Sequence, residues 1–225
     1  LAGVLGQCSS LTTLNLGCNE IRAAGAASLA RALGQCWSLA VLKLAYNDID
    51  NFGPEEVEGL ARGLGQCSAL VTLDLERNRI MAQGARSLAG ALGQCLSLAE
   101  LNLEDTEIGD EGARWLAGAL GQCSSLTTLN LAGDPGREYG QDNLIGAEGA
   151  RCLAEVLGQC SALATLHLSY NDIGAEGARS LAGVLGQCSS LTELNLASNH
   201  IGAEGAGSLA GVLEQCSSLA TLDLK

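Results

Sequence analysis

The tripeptide Gly-Gln-Cys occurs at Gly6–Cys8, Gly34–Cys36, Gly65–Cys67, Gly93–Cys95, Gly121–Cys123, Gly158–Cys160 and Gly186–Cys188, and Glu-Gln-Cys replaces it at Glu214–Cys216. Each of these eight cysteines stands three residues before a leucine: Leu11, Leu39, Leu70, Leu98, Leu126, Leu163, Leu191 and Leu219. Five of the seven steps between those leucines are 28 residues, and the other two are 31 and 37. A recurrence of this length means stacked copies of one supersecondary unit, none of which buries its apolar face alone. The two longer steps are insertions of three and nine residues, at about 50–55 and 134–142. Aromatic residues make up only 3% of the chain, so leucine and alanine must fill the core.

Within a unit such as Leu191–Ser218, the residues Leu194 and Leu196 alternate with polar ones, as a short strand requires. Further on, Ala206, Leu209, Ala210 and Leu213 recur at i, i+3, i+4 and i+7, one apolar stripe on a helix. Glu204 falls in the first helical turn, where the dipole favours an acid. The glycine of the Gly-Gln-Cys motif is expected to be a left-handed helix C-cap.

The pattern L-x-x-L-x-L-x-x-N-x-I followed by a helix resembles the leucine-rich repeats of the ribonuclease-inhibitor-like class. The resemblance covers essentially all of residues 1–225, read as one solenoid of about eight repeats. It implies an α/β horseshoe arc, with a parallel β-sheet on the concave face and helices on the convex face. Families built this way serve inhibitor, innate-immune receptor and regulatory roles. A related scaffold activates nuclear-transport GTPases, so a GTPase-activating module for a small GTPase is one alternative. A consensus-like scaffold without a specific ligand is another. The chain begins at Leu1 inside a repeat and ends just after a strand pattern. A fragment without caps is expected, with end-to-end association through its open edges.

Asn19, Asn47, Asn78, Asn143, Asn171 and Asn199 share one position and are expected to form a buried ladder that satisfies backbone groups. Thr106 replaces the asparagine in the fourth unit, where a local loosening or a compensating water is expected. The ladder cysteines lack the tight pairing of a zinc site and are expected to pack as free thiols in a reducing, cytoplasmic setting. Cys18 and Cys152 fall outside the ladder and are expected to be the exposed, fast-reacting thiols.

Net charge is −13, from 25 acidic and 12 basic residues. That disfavours nucleic acid and anionic membrane and favours a protein partner with a basic surface. No apolar run approaches the ~18 residues of a membrane span.

The repeats also serve as their own baseline. Strand positions two, four and six residues after the first leucine are expected to face the concave surface. There the third and fourth units collect Asp74, Glu76, Glu100 and Glu104, joined by Asp105 and Glu107 on the rim. Strands ~5 Å apart set these acids side by side, within a Debye length, with Arg77 and Arg79 as partial neutralisers. A basic partner is favoured over a metal ion, because no compact calcium loop is present. Lys43, Tyr46, Asp48, His167 and Tyr170 complete the candidate surface. The second insertion adds Arg137, Glu138 and Tyr139, residue types common at interfaces, although an inserted loop is also thermodynamically cheap. No catalytic constellation or phosphate loop is present: His167 faces Asn130 and Asn195, and the recurrent Ile-Gly-Ala-Glu-Gly-Ala is a loop-to-helix start. No cofactor and no enzymatic activity are expected.

Overall fold

A computed structural model describes residues 5, 8, 10–49, 54–134 and 143–225. Eight three-residue strands form one parallel sheet in chain order: β1 (Thr13–Asn15), β2 (Val41–Lys43), β3 (Thr72–Asp74), β4 (Glu100–Asn102), β5 (Thr128–Asn130), β6 (Thr165–His167), β7 (Glu193–Asn195) and β8 (Thr221–Asp223). Between them run α1 (Arg22–Leu33), α2 (Pro54–Leu64), α3 (Met81–Leu92), α4 (Gly109–Leu120), α5 (Ala147–Leu157), α6 (Gly174–Leu185) and α7 (Gly202–Ala210). A short 3₁₀ turn at Leu213–Gln215 precedes β8. The open sheet with helices after each strand is the expected leucine-rich-repeat solenoid.

Each strand pairs with the next at one register. Leu42, Leu73, Leu101, Leu129, Leu166 and Leu194 align as a continuous buried row. The helical stripe holds in interior units: Ala178, Leu181, Ala182 and Leu185 of α6 are all buried. In α7, the corresponding Ala206 and Ala210 are exposed, and Leu213 has left the helix. Nothing among the described residues stacks on that side of the last unit, so the stripe lacks its cover.

The glycine after each helix does not adopt the expected left-handed cap. Gly34, Gly93, Gly121, Gly158 and Gly186 all have φ near −60°, with values between −60° and −63°. The chain leaves the helix through tight right-handed turns, as in Gln35 N–H to Ala32 O (3.1 Å) and Cys36 N–H to Leu33 O (2.9 Å). The space at this glycine is tight in two units, against the flexible end of a glutamine side chain, and ordinary at Gly34, Gly65, Gly93 and Gly121. A Cβ at Gly158 or Gly186 would sit 2.9 or 2.8 Å from the glutamine side-chain oxygen of the next unit.

Left-handed backbone occurs at the helix start. Gly109, Gly174 and Gly202 have φ of +61°, +62° and +63°. Arg22 and Met81 occupy the same position at 56° and 59°, where an L side chain is strained. The reward for the conformation is a cross-unit hydrogen bond: the Met81, Gly109 and Gly174 N–H groups donate to the carbonyls of Thr106, Asn143 and Asn199 (2.8–2.9 Å).

The asparagine ladder forms as expected, with Asn47, Asn78, Asn143, Asn171 and Asn199 buried and Asn19 exposed at its end. Asn47 Nδ2 donates to the carbonyls of Leu16, Leu44 and Ala45, and its Oδ1 accepts from Asn19 and Ile21 N–H. The loosening expected at Thr106 does not occur. Thr106 is fully buried, and its hydroxyl lies 2.7 Å from Leu103 O and 2.9 Å from Asn143 Oδ1. The hydroxyl cannot reach the preceding unit, so Ile80 N–H turns to the Asn78 carbonyl at 2.8 Å.

The ten cysteines are free. Six ladder thiols, from Cys36 to Cys188, are buried, and each contacts two carbonyls. Cys95 Sγ is 3.6 Å from Ala91 O of its own helix and 3.6 Å from Leu64 O of the preceding unit. Burial pushes the Cys67 and Cys95 thiols up to about 11. Cys18 is exposed as expected, but Cys152 is buried at 5% exposure. It stands where other units carry Ser87 and Ser180 on the helix flank, and the neighbouring Arg151 and Glu148 close over its sulfur at 3.9 Å.

Candidate functional site

Strand register decides which side chains meet on the face of the sheet turned away from the helices. One row reads Asn15, Lys43, Asp74, Asn102, Asn130, His167, Asn195 and Asp223. Six of these carry a local duty. Asn15, Asp74, Asn102, Asn130, Asn195 and Asp223 each accept, through Oδ1, the backbone N–H two residues on, at 3.0–3.2 Å. The side-chain carbonyl ends the strand by mimicking a backbone turn. Asp74 is thus partly a scaffold residue, a role that its repetition as Asn or Asp in six copies signals. Lys43 and His167 depart from the pattern and have no such duty. Both line a shallow pocket of about 250 Å³ with Asp74, Glu100, Asn102 and Asn130.

The acids of units three and four are brought together as expected, and largely partnered. Asn102 Nδ2 donates to Asp74 Oδ1 (3.1 Å) and Glu76 Oε2 (3.2 Å). Asn130 Nδ2 donates to Glu104 Oε2 (2.8 Å), and the Thr72 hydroxyl to Glu100 Oε2 (3.1 Å). Burial raises the Glu104 carboxyl above its ordinary pKa. The Asn130 hydrogen bond opposes this, and the charges of Glu76 and Asp134 add to it. His167 Nε2 lies 3.3 Å from Glu193 Oε1.

Arg77 is the hub of the rim. Its guanidinium stacks on the Tyr46 ring at 4.9 Å, lies 3.6 Å from Asp105 Oδ2 and pairs with Asp134. Tyr46 bonds Glu76, and its phenol is raised first by burial and then by that carboxylate. Tyr46, Arg77, Asp105 and Tyr170 share one loop position, and all have positive φ of 51–56°. This turn aims them along the edge of the arc. Asp105 corrects the expectation of an exposed rim acid: it is 3% exposed, drawn inward beneath Arg77. Asp134 was not singled out in the sequence, because its partner lies 57 residues away.

The remaining candidates are dispersed. Arg79 and Glu107 form a separate pair at 2.9 Å. Asp48 is exposed at the outer rim, and Tyr170 lies in the sixth unit. Arg137, Glu138 and Tyr139, with the second insertion, lie outside the described residues, as does most of the first insertion. The sixth position after the first leucine is not uniformly solvent-facing: Ala45, Ala132, Ser169 and Ala197 are buried. Each unit closes on the next there; a Cβ at Gly17 would come 3.4 Å from Ala45 O. This face of the sheet therefore presents two residues per strand, plus Glu76, Glu104 and the exposed Lys225.

Among the described residues, no three His, Cys, Asp or Glu side chains converge as a metal-ligand set. No helix among them is long and apolar enough to cross a membrane. The resulting site is an acidic, hydrogen-bonded surface with Lys43 and His167 along the sheet and the Tyr46–Arg77 stack on its edge.

Residues 7–30, 66–89, 94–117, 159–182 and 187–210, more than half of the chain together, match the model of a family described as Leucine Rich repeat. No curated protein matches the chain. Among solved structures it is similar to an internalin, InlF, from Listeria monocytogenes, with a TM-score of 0.53 and 18% identity over 98% of this chain and 63% of that one. It is also similar to the leucine-rich repeat-containing protein LegL7 from Legionella pneumophila (TM-score 0.44, 16% identity, 96% of this chain and 66% of that one). A third is the functional domain of InlJ from Listeria monocytogenes (TM-score 0.41, 12% identity, 96% and 54%). The chain spans less than two thirds of the length of each of these structures. At such identities the likeness is one of fold.

Proposed function

The chain belongs to the leucine-rich repeat family, and on that premise we propose that it is a protein-binding module whose concave face, at units three and four, receives a partner bearing basic side chains. Leucine-rich repeat domains are generally protein-interaction modules, which supports the class of function. One observation carries the choice of surface: Asp74, Glu76, Glu100 and Glu104 project from two adjacent strands and their following loops, and Glu104 is held half-buried among like charges. A cation from a partner relieves that repulsion and replaces the lost hydration, so binding there is worth more than at a dispersed acidic surface. Lys43 flanks the pocket and limits it by repelling misplaced cations.

Units of 28 residues with helices of up to 12 residues support a place in the ribonuclease-inhibitor-like class. Ten free thiols support a reducing, cytoplasmic setting. Among the described residues β1 and β8 each pair on one side, which supports end-to-end association.

The binding reading is tested by titrating the protein with Lys- and Arg-rich peptides and with their Glu-rich counterparts. Binding of the basic peptides, weakened at least ~10-fold (~1.4 kcal/mol) by combined Glu76→Gln, Glu100→Gln and Glu104→Gln substitution, is expected. Equal binding by the triple variant would refute the assignment.

A further inference from the structure

The row at the strand ends supplies its own control. Six of its eight residues are Asn or Asp, and each uses Oδ1 to hold the backbone N–H two residues on. Lys43 and His167 have no side-chain carbonyl to do this. Among the described residues, no side chain accepts the Ala45 N–H or the Ser169 N–H in their units, although both residues are buried. The scaffold gives up a local hydrogen bond in both places. A residue that breaks a local rule without a gain in packing marks a position kept for another reason.

The two exceptions fall on one pocket. Lys43, Asp74, Asn102, Asn130 and His167 are consecutive neighbours in register, and all five line the pocket of about 250 Å³, together with Glu100. Lys43 and His167 are its two ends, four strand steps or ~19 Å apart.

The ends differ in what they have left to offer. His167 Nε2 lies 3.3 Å from Glu193 Oε1, so one edge of the ring is occupied. Lys43 is exposed and, among the described residues, has no ion pair and no side-chain hydrogen bond. The two acids beside it keep one oxygen each. Asp74 Oδ1 accepts from Asn102 Nδ2 and the Glu76 N–H, and Glu100 Oε2 accepts from the Thr72 hydroxyl. Asp74 Oδ2 and Glu100 Oε1 have no such donor among the described residues. The pocket therefore presents an ammonium on β2, a carboxylate oxygen on β3 and another on β4.

We propose that Lys43 sets the sequence this pocket accepts: an extended segment of a protein partner in which a carboxylate, bound by Lys43, stands two residues from an arginine or lysine bound by Asp74 and Glu100. Side chains on one face of an extended chain recur every ~6.6 Å. That spacing lies between one strand step, ~5 Å from Lys43 to Asp74, and two, ~10 Å from Lys43 to Glu100. A uniformly basic segment sets a cation against Lys43, and a uniformly acidic one sets carboxylates against units three and four. The assignment rests on this face being a binding surface for basic partners, and adds the acid that such a partner must carry.

The probes are two synthetic nine-residue peptides, Arg-Ser-Arg-Ser-Asp-Ser-Arg-Ser-Arg and its counterpart with Asn at the centre. Both read alike in either direction, so chain polarity does not enter. The protein has a net charge of −13, so net charge alone favours the more positive Asn peptide, whereas the local fit favours the Asp peptide. At physiological salt, where the screening length is only ~8 Å, the local fit should win. Calorimetric titration of the parent protein should show the Asp peptide binding about threefold tighter, within the range of one exposed ion pair. Lys43→Asn should reverse the order while the Asn peptide stays bound. That variant installs the residue already present as Asn15, Asn102, Asn130 and Asn195, so the fold is kept. It also returns an acceptor for the Ala45 N–H, so the thermal midpoint should rise. Equal or weaker binding of the Asp peptide by the parent protein overturns the proposal, as does a preference for it that survives Lys43→Asn. In either case both peptides still bind, and the basic-partner reading stands. Binding of neither peptide overturns both.

Discussion

Replacing Asp110 with alanine should uncap a helix that begins 37 residues later. Asp110, in the first turn of α4, accepts the N–H groups of Gly146 (2.7 Å) and Gly149 (2.8 Å) at the start of α5. The other units have no counterpart to this bridge: Ala82, Ala147, Ala175 and Ala203 hold the equivalent position. The need arises from the second insertion. Gly109, Gly174 and Gly202 enter their helices with φ above +60°, but Gly146 is extended, at φ −93° and ψ −163°. With that geometry, the first turn of α5 turns its amides to the neighbouring helix. A side-chain N-cap contributes ~1 kcal/mol, and a carboxylate at a helix N-terminus adds ~0.3–1. With two bonds at one half-buried carboxylate, Asp110→Ala should cost about 2 kcal/mol. Asp110→Asn keeps the accepting oxygen and should recover at least half of it. The assay is urea unfolding followed by circular dichroism, with hydrogen exchange at the Gly149 amide as the local reading. A cost below ~0.5 kcal/mol, or an unchanged Gly149 exchange rate, would show that the insertion is anchored elsewhere.

Other outcomes follow from the same geometry. Met81→Gly should stabilise the fold by roughly 0.5–1 kcal/mol, because it relieves a left-handed residue at φ 59° where other units use glycine; chemical denaturation measures this. Under a thiol reagent at pH 8, Cys18 should label first and the half-buried Cys8 and Cys216 next. Cys67 and Cys95, with thiols near 11 and buried, should label only on unfolding, as mass spectrometry of digests will show. Glu104 has a folded-state pKa raised above its unfolded value, so the native state holds the proton more tightly. Its charge therefore costs stability at neutral pH, and that cost fades as pH falls toward the ordinary carboxylate range. Glu104→Gln should be more stable than the parent at pH 7, with the difference shrinking near pH 5 in parallel denaturation curves.

Residues that act within their own unit were legible from the sequence. The asparagine ladder, the cysteine row and the leucine row recur at one spacing, and recurrence is itself the signal. Features that join distant units were not. Asp110 caps a helix across the insertion, and Arg77 reaches Asp134 over 57 residues, so neither leaves a periodic trace. Asp74 was read as a surface charge because alternation along a strand cannot distinguish a solvated acid from one that closes a turn. Cys152 misled for a related reason: serine in that place is half-buried and polar, yet the larger sulfur is covered by Arg151 and Glu148. The glycine caps misled because the chain leaves each helix through a right-handed turn, so the left-handed conformation that favours glycine is not used there.

The constant register also bears on how such a chain changes length. Ile173 and Ile201 both precede Gly-Ala-Glu-Gly-Ala, and the loop at Ile173 closes on Asn199 of the following unit. Excising Gly174–Ile201 would join identical sequences in identical conformations, since Gly174 and Gly202 have φ of +62° and +63°. Strand β6 would then pair with β8 at the register it now has with β7. Unequal crossing-over among the later repeats is therefore nearly silent for the backbone, and this end of the arc is free to grow or shrink by whole units. The early units lack that freedom. Arg77 and Asp110 each depend on what stands a fixed number of repeats away, so a duplication there would separate partners and be visible to selection.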